Sequence, residues 1–434
     1  MEPTGLIAPQ PWMTTPETQA VMAAFHAAGT EARFIGGCVR DAILKRPAQD
    51  IDIATPEEPE RVLEILEAAD IRAIPTGIKH GTVTAVVNQH HFEITTLRID
   101  VENYGRHARV KFTDDWTQDA ARRDFTINTM SCDEHGNVYD PYDGLNDLGQ
   151  GKVCFVGEAE QRIEEDVLRL LRFFRFYAQY GKPPIDTKAL LACRKLAPRL
   201  PELSGERVRG ELFRILTAPN PADTVTLMRA ERVLEYILPE AGDVGRLRMT
   251  AWLLERAMKI EGLEIDPVRR LAALLKPGLS PTDVIAIAER LKFSNRERKH
   301  LVAMAADGPT VTPDMSDKAL HIACAKVGQD IVMDRALLAW AAELALEAHL
   351  SSERTDAWWS LIAAARDIQL IDFPLQGRDV LALGVSPGPH VGQILKDVEA
   401  WWELQNFQPD RAACLAHLEK HCEKHHPHTL TSHS

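Results

Sequence analysis

The chain lacks any paired-cysteine signature. Its seven cysteines are scattered, odd in number and without a Cys-x-x-Cys spacing, which suits free thiols in a reduced, cytoplasmic compartment. It also lacks long hydrophobic runs. No window of about 20 apolar residues occurs, so no membrane span is expected. Residues 1–14 have neither a basic start nor an apolar core, so no secretory signal is expected. Nor is there an excess of positive charge: 50 Lys+Arg face 63 Asp+Glu, a net charge of −13. That balance weighs against a chain that coats nucleic acid over its whole surface, but binding depends on local patches. Residues 161–216 carry 12 Lys+Arg against 7 Asp+Glu, so a polyanion is steered there and repelled elsewhere. Internal repeats and low-complexity runs are missing too. The 45% apolar and 26% charged residues are ordinary for a globular chain. A length of 434 residues suits about two to four domains.

What is present centres on Phe34 to Ile53. Phe34 and Ile35 read as a strand that turns on Gly36-Gly37. A short helix follows through Val39, Ala42, Ile43 and Leu44, and Arg46-Pro47-Ala48-Gln49 turns the chain into a second strand. On that strand Ile51 and Ile53 point one way while Asp50 and Asp52 point the other, because strand side chains alternate. Two carboxylates on one face repel unless a cation sits between them. Oxygen ligands alone select a hard ion, Mg2+ above all. Gly36-Gly37 at a strand-to-helix turn lets backbone N–H groups approach a phosphate, and Arg40 adds a charged fork. Each piece is common by itself. Together, a phosphate cradle and metal-binding carboxylates point to nucleotidyl or phosphoryl transfer.

Further elements can be read in order. Thr15-Pro16 starts a helix that ends near Gly29. A helix is expected from Pro59 to Ala69, then strands Thr82–Val87 and Phe92–Leu97. Phe92 and Ile94 face the core of the second strand, which puts Glu93 on the other face. Residues 99–117 read as a mobile loop, with His90, His91 and His107 solvated. Arg122 through Asn128 brings Arg123, Asp124 and Asn128 together, a cation, an acceptor and an amide suited to a ribose and its triphosphate. The turn from Asp140 to Leu148 reads as structural. From Glu158 to Tyr180 the apolar positions Ile163, Val167, Leu170, Leu171 and Phe174 fall on one side of a single helix. Arg169, Arg172 and Arg175 fall on the other side, with Asp166 one turn before Arg169. That row reads as a solvated face or as a binding face. Gly181-Lys182-Pro183-Pro184 ends the helix, and Ser204 reads as the N-cap of the next. Beyond residue 220, helices are expected at Ala222–Leu238, Arg248–Ile260, Pro267–Leu275, Pro281–Leu291, Asn295–Ala306, Lys318–Val327, Val332–Leu350 and Asp356–Asp367. Met228, Trp252, Trp358 and Trp359 read as packing residues. The Gly388-Pro389 turn reads equally as a helix start or a phosphate contact. His421, His425, His426 and His428 read as a frayed tail.

Gly-Gly-x-Val-Arg-Asp followed by Asp-x-Asp resembles the head motif of polymerase-beta-like nucleotidyltransferases, and more closely the bacterial tRNA nucleotidyltransferase and poly(A) polymerase family. Arg-Arg-Asp-Phe-Thr-Ile-Asn, with Thr129 where the family has Ala, is similar to a second family motif. Glu93-Ile-Thr-Thr-Leu-Arg, Glu165-Asp166-x-x-Arg169 and Glu206-Arg207-x-x-x-Glu211 are similar to three more. The resemblance covers about residues 30–240 strongly and implies an α+β fold. It implies a catalytic nucleotidyltransferase head with a small mixed sheet over residues 1–153. It also implies a helical neck for base recognition over 154–220, and a helical body and tail binding tRNA over 221–434. The implied activity is class II addition of C-C-A to tRNA from CTP and ATP without a nucleic-acid template, releasing pyrophosphate. The alternatives are a poly(A) polymerase of the same family and an inactive RNA-binding relative.

The resemblance assigns two Mg2+ ions to Asp50 and Asp52, with Glu93 either a third carboxylate or an exposed strand residue. It assigns the triphosphate to Gly36, Gly37 and Arg40, and the sugar and phosphates to Arg123, Asp124 and Asn128. Base choice goes to Asp166 and Arg169, with Arg172 and Arg175 extending the contact row. Glu206, Arg207 and Glu211 are assigned to neck scaffolding.

Overall fold

The structure is a computed structural model that describes residues 1–48, 50–104, 107–257, 261–306, 308–347 and 349–425, without the side chains of 101–104, 107–109, 256–257 and 425. Its first half is a mixed sheet with helices packed on it. Strands β1 (Gly5–Leu6), β2 (Arg33–Ile35), β3 (Asp52–Thr55), β4 (Arg72–Gly77), β5 (Thr82–Val87) and β6 (His90–Thr96) belong to it. So do two later strands, Ser131–Cys132 and Asn137–Tyr139, which become β9 and β10 after the strand pair described below. The eight strands lie in the order β1-β10-β9-β2-β3-β6-β5-β4. Only β3 and β6 run parallel among these pairs, and their register sets Asp52 beside Glu93. Phe34, Ile53, Phe92 and Ile94 are buried beneath the sheet. Helices α1 (Pro16–Ala27), α2 (Gly37–Ile43) and α3 (Pro59–Ala68) cover it, and Thr15 caps α1 through the Thr18 N–H at 3.3 Å.

Two readings of this half are corrected. Residues 1–14 are anchored, since Gly5 and Leu6 pair with Val138 and Asn137 and Met13 is buried. The stretch 99–117 holds an antiparallel strand pair, β7 (Arg98–Tyr104) and β8 (His107–Phe112), followed by helix α4 (Trp116–Ala121). The alternation of Ile99 and Val101, and of Ala108, Val110 and Phe112, with polar residues is the period of a strand. Gly105-Arg106, between the two strands, lies outside the described residues, as do Gln49, His426 and His428. Strand β3 begins at Asp52, so Asp50 stands just before it, exposed, in a bend.

The head closes through α5 (Gly144–Gln150). Asp140 accepts from the Gly144 and Leu145 N–H groups at 2.9 and 2.8 Å, the structural turn expected there. The single helix expected over 158–180 is two: α6 (Ala159–Glu165) and α7 (Leu168–Tyr180). Asp166 between them is extended, with φ −150° and ψ 107°. The apolar period runs through the break because Ile163 and Val167 are both buried on either side of it. Helices α8 (Thr187–Leu196) and α9 (Gly205–Leu216) complete the neck. Ser204 stands at the N-cap of α9 but makes no side-chain capping bond.

The rest is helical. α10 (Pro221–Ala230) and α11 (Leu234–Ile237) divide the expected Ala222–Leu238 helix, since Arg232 adopts φ 60° between them. α12 (Val244–Trp252) starts earlier than expected and passes into a π-helical segment, Leu253–Ala257. α13 (Pro267–Leu274), α14 (Pro281–Arg290), α15 (Asn295–Ala305), α16 (Asp317–Val327), α17 (Gln329–Leu346) and α18 (Ser352–Asp367) follow. α19 (Gly377–Ala382), α20 (Pro389–Leu404) and α21 (Arg411–His425) end the described chain. Met228 and Trp358 are core residues as expected, whereas Trp252 and Trp359 are exposed. One apolar core runs from Met13 to Leu338 through head, neck and α10–α15; separate cores hold α16–α18 and α19–α21. Among the described residues no helix is long and apolar enough to cross a membrane.

Three helices of the body meet on one carboxylate. Asp334 of α17, 1% exposed, takes Arg269 of α13 on one oxygen and His300 of α15 on the other at 2.6 Å. The hydrogen bond to Asp334 outweighs partial burial and holds the His300 imidazolium above its ordinary pKa. A histidine so raised stabilises the fold below about pH 6.5 and loses that contribution as pH rises through its higher folded value. His300→Gln keeps a donor that does not titrate. Thermal unfolding of the full chain should show wild type ahead of His300→Gln by most at acid pH, with the gap narrowing as pH rises past neutrality. A gap of constant size would contradict the pairing.

Candidate active site

Head and neck enclose an open cavity of about 730 Å³. β2 delivers the chain to its floor, and the buried Phe34 and Ile35 fix where the strand ends. The next residue, Gly36, has φ 67° and ψ −121°, a conformation L side chains rarely adopt. A Cβ there would also stand 3.4 Å from an Arg123 Nη. Gly36 and Gly37 line the cavity, and the buried Val39 and Ala42 seat α2 on the sheet. That seating turns Arg40 toward the neck. Arg40 donates to the Asn128 Oδ1 at 2.7 Å and to Asp41 at 3.1 Å.

The floor carries the carboxylates. Asp50 and Asp52 both line the cavity. Glu93 is exposed on β6 beside Asp52 and is not among the lining residues. Burial raises the Asp52 pKa, the negative charges of Glu93 and Asp50 add to the rise, and Arg123 opposes it. Charge of one sign is therefore held together against its own repulsion, the condition a cation relieves. Among the described residues no three His, Cys, Asp or Glu side chains converge as a metal cage. An Mg2+ ion is typically held by one or two carboxylates with substrate phosphates and water, and this donor set fits that pattern.

One wall comes from residues 122–128. Phe125 and Ile127 are fully buried and anchor the segment with its short 3-10 turn, Thr126–Asn128, while Arg122, Arg123, Asp124 and Asn128 line the cavity. Arg123 reaches Asp119 at 3.1 Å and the Asn128 carbonyl at 3.3 Å. Asp124, 8% exposed, accepts from the Asn128 Nδ2 at 3.0 Å and is paired with Arg172 of α7. Burial alone would raise the Asp124 pKa, but Arg172 prevails and holds it low.

The opposite wall is the neck. Extended Asp166 accepts from the Leu168 N–H at 3.2 Å and takes one Nη of Arg207 of α9 on both oxygens, at 3.0 and 2.8 Å. Arg169 pairs with Glu165 and donates to the Arg122 and Arg162 carbonyls, each at 3.2 Å. The row does not end in solvent. Arg175 is 8% exposed, meets Glu211 of α9 at 3.1 Å and lies over the Phe176 ring at 4.2 Å. Burial lowers its pKa to about 10. Arg172 and Arg175 therefore lead from the cavity into the neck.

Gly36, Gly37, Arg40, Asp50, Asp52, Arg123, Asp124, Asn128, Asp166, Arg169, Arg172 and Arg175 all line this one cavity; only Glu93 stands outside the lining. Asp41, Arg122, Arg207 and Arg214 line it as well and were not expected there. The first three lie inside the sequence motifs, but nothing in a motif says which members face inward. Eight arginines face five aspartates across the cavity, a surplus suited to a polyanionic ligand.

Comparison with known proteins gives the chain's family. Residues 32–154 match the family described as the Poly A polymerase head domain. Residues 184–243 match a probable RNA and SrmB-binding site of polymerase A. The chain is 34% identical over 394 residues to the mitochondrial CCA tRNA nucleotidyltransferase 1 of Mus musculus, covering 90% of this chain and 87% of that protein. It is 30% identical over 421 residues to the CCA-adding enzyme of Lactococcus lactis, covering 94% and 96%. Among solved structures, the Bacillus stearothermophilus CCA-adding enzyme in complex with CTP aligns with a TM-score of 0.74 at 26% identity. That alignment covers 95% of this chain and 99% of the other.

The Asp52 environment has a consequence for stability. A carboxyl whose pKa is raised by folding favours the fold while protonated, below about pH 4, and loses that advantage as pH rises through its folded value. Asp52→Asn should therefore raise the melting temperature of metal-free protein at neutral pH, and the gain should shrink on acidification. An equal or lower melting temperature at neutral pH would show that the carboxylate is not held under strain.

Proposed function

The chain belongs to the family of CCA tRNA nucleotidyltransferases, the CCA-adding enzymes, and from that premise we propose how its residues add C-C-A to the 3′ end of tRNA using CTP and ATP. The carrying observation is that one cavity joins the Asp50 and Asp52 carboxylates to the Arg169 and Arg172 row of the neck. A nucleotide there spans both, with its phosphates on the head and its base on the neck.

The division of labour we propose gives chemistry to residues 1–153, base recognition to 154–220 and tRNA binding to 221–434. Asp50 and Asp52 would hold Mg2+. When bound, Mg2+ lowers the pKa of the RNA 3′-hydroxyl and neutralises charge on the triphosphate and departing pyrophosphate. Glu93 keeps the floor negative from the neighbouring strand. Gly36 and Gly37 admit the phosphates close to the backbone, and Arg40 supplies a fork for them. Arg123, Asp124 and Asn128 orient the sugar and the inner phosphates. We assign the enzyme to the cytoplasm, the compartment its seven free cysteines suit.

With no template strand, the protein must present the pairing edge. Asp166 accepts from the amino group that cytosine and adenine share in position, and Arg169 donates to the neighbouring ring nitrogen. A carboxylate offers about four acceptor positions, so the hold of Arg207 aims Asp166 while leaving lone pairs for the base. The contacts of Arg169 with Glu165 and two carbonyls fix its guanidinium plane. Uracil and guanine present a carbonyl where Asp166 needs a donor, and a ring N–H where Arg169 needs an acceptor. Each such clash costs about 1–3 kcal/mol.

Transfer RNA trimmed of its terminal C-C-A, incubated with Mg2+ and each labelled NTP, tests this directly. CTP alone should extend the RNA by C, and both nucleotides together should complete the end. Addition of A alone would instead mark a poly(A)-type activity. Asp50→Ala and Asp52→Ala should each reduce transfer to background with the fold intact. Asp166→Ala, and separately Arg169→Ala, should raise UTP and GTP use relative to CTP and ATP by roughly 10-fold or more. A variant that slows all four nucleotides equally would refute the base-reading role.

A further inference from the structure

A circuit of side chains leaves α7 and returns to it. Arg172 donates to Asp124, and the Asn128 Nδ2 donates to the other Asp124 oxygen at 3.0 Å. Arg40 donates to the Asn128 Oδ1 at 2.7 Å, and its Nε and Nη2 grip the two Asp41 oxygens at 3.1 and 3.3 Å. The Tyr180 hydroxyl donates to Asp41 at 3.1 Å. Tyr180 lies about two helical turns beyond Arg172 on the same α7. Its ring is also flanked by guanidinium groups. The Arg40 Cζ is 4.6 Å and the Arg46 Cζ 5.0 Å from the ring centroid. Burial pushes the Tyr180 phenol above its ordinary pKa, so it stays a donor.

An arginine is a long side chain with many rotamers, and a free one gives up that freedom when it meets a ligand. Arg40 has already given it up. Asn128 holds one end of its guanidinium, Asp41 the other, and the Tyr180 ring covers a face. Tyr180 and Asp41 also contact each other. Their contacts converge on Arg40.

We propose that Tyr180 and Asp41 are positioning residues for nucleotidyl transfer, holding Arg40 where it meets the triphosphate at a set distance from Asp166 and Arg169. The proposal rests on the phosphate-binding role given to Arg40 above. Because the circuit closes on α7, the helix that follows the base-reading turn also fixes the phosphate fork. Base and triphosphate are thereby measured against one rigid element. The competing account makes Tyr180 and Asp41 a staple between head and neck, and it predicts lost stability with unchanged phosphate affinity.

Calorimetric titration of the full-length protein with magnesium pyrophosphate separates the two accounts. Tyr180→Phe keeps the ring and loses the hydrogen bond; its dissociation constant should rise about 3-fold. Tyr180→Leu and Asp41→Asn should each raise it about 10-fold. KM for CTP and for ATP should rise together by the same factor, with rejection of UTP and GTP unchanged. Pyrophosphate affinity within about twofold of wild type in Tyr180→Leu and Asp41→Asn, or a shift in base preference, would overturn the proposal. So would absence of pyrophosphate binding to wild type. Wild-type extension of trimmed tRNA, run alongside, judges the proposed function by itself. Pyrophosphate affinities judge the positioning role whatever that result.

Discussion

Asp124 and Arg172 form the contact on which the rest of the site depends. A carboxylate with 8% of its surface exposed has lost most of its water, and an unpaired charge in that state is costly. Arg172 compensates from the other side of the cavity, on the neck helix. Removing one partner of a buried pair costs about 3–5 kcal/mol, more than the intact pair contributes over an apolar substitute. The pair is therefore better understood as a constraint on geometry than as a source of stability. It fixes how far along its axis α7 sits against the head. Asn128 and Arg40 take their positions from Asp124 in turn.

The break before α7 is held by contacts of Asp166 within the neck. Had the helix continued through Asp166, that side chain would have lain along the helix face with Arg169. The extended residue instead turns its carboxylate to cap Leu168 and to meet Arg207. Val167, Leu170, Leu171, Phe173 and Phe174 are buried and hold the start of α7 rigid behind it. Asp166 is thus displayed at a helix start, with the neighbouring arginines on the first turns.

The sequence made the head legible because its motifs combine unusual backbone needs with paired charges. Gly36-Gly37, Arg40 and Asp50-x-Asp52 have few structural reasons to recur at that spacing, and all of them line the cavity. Most helices between residues 220 and 367 were legible from their apolar period, with errors at their ends and α10 and α11 merged into one, whereas His421 and His425, read as a frayed tail, belong to α21. What stayed hidden depended on partners distant in sequence. The Arg175 position could be read as solvated or as binding because its partner Glu211 lies on another helix. Arg207 looked like scaffolding because nothing local says that it meets Asp166. Strand β1 is only two residues long and exists through Asn137 and Val138. The bend at Asp166 was masked by an apolar repeat that continues across it.

A double-mutant cycle between Asp124 and Arg172 tests the account most directly. Asp124→Asn, Arg172→Gln and the double variant would be compared with wild type by thermal unfolding and by CTP affinity. If the pair sets the register of α7 against the head, each single variant should be strongly impaired in both readouts. The double variant should then be little worse than either, with a coupling of about 1–3 kcal/mol. Additive losses, with no coupling in either readout, would mean that the two side chains act independently and that α7 is held by packing alone.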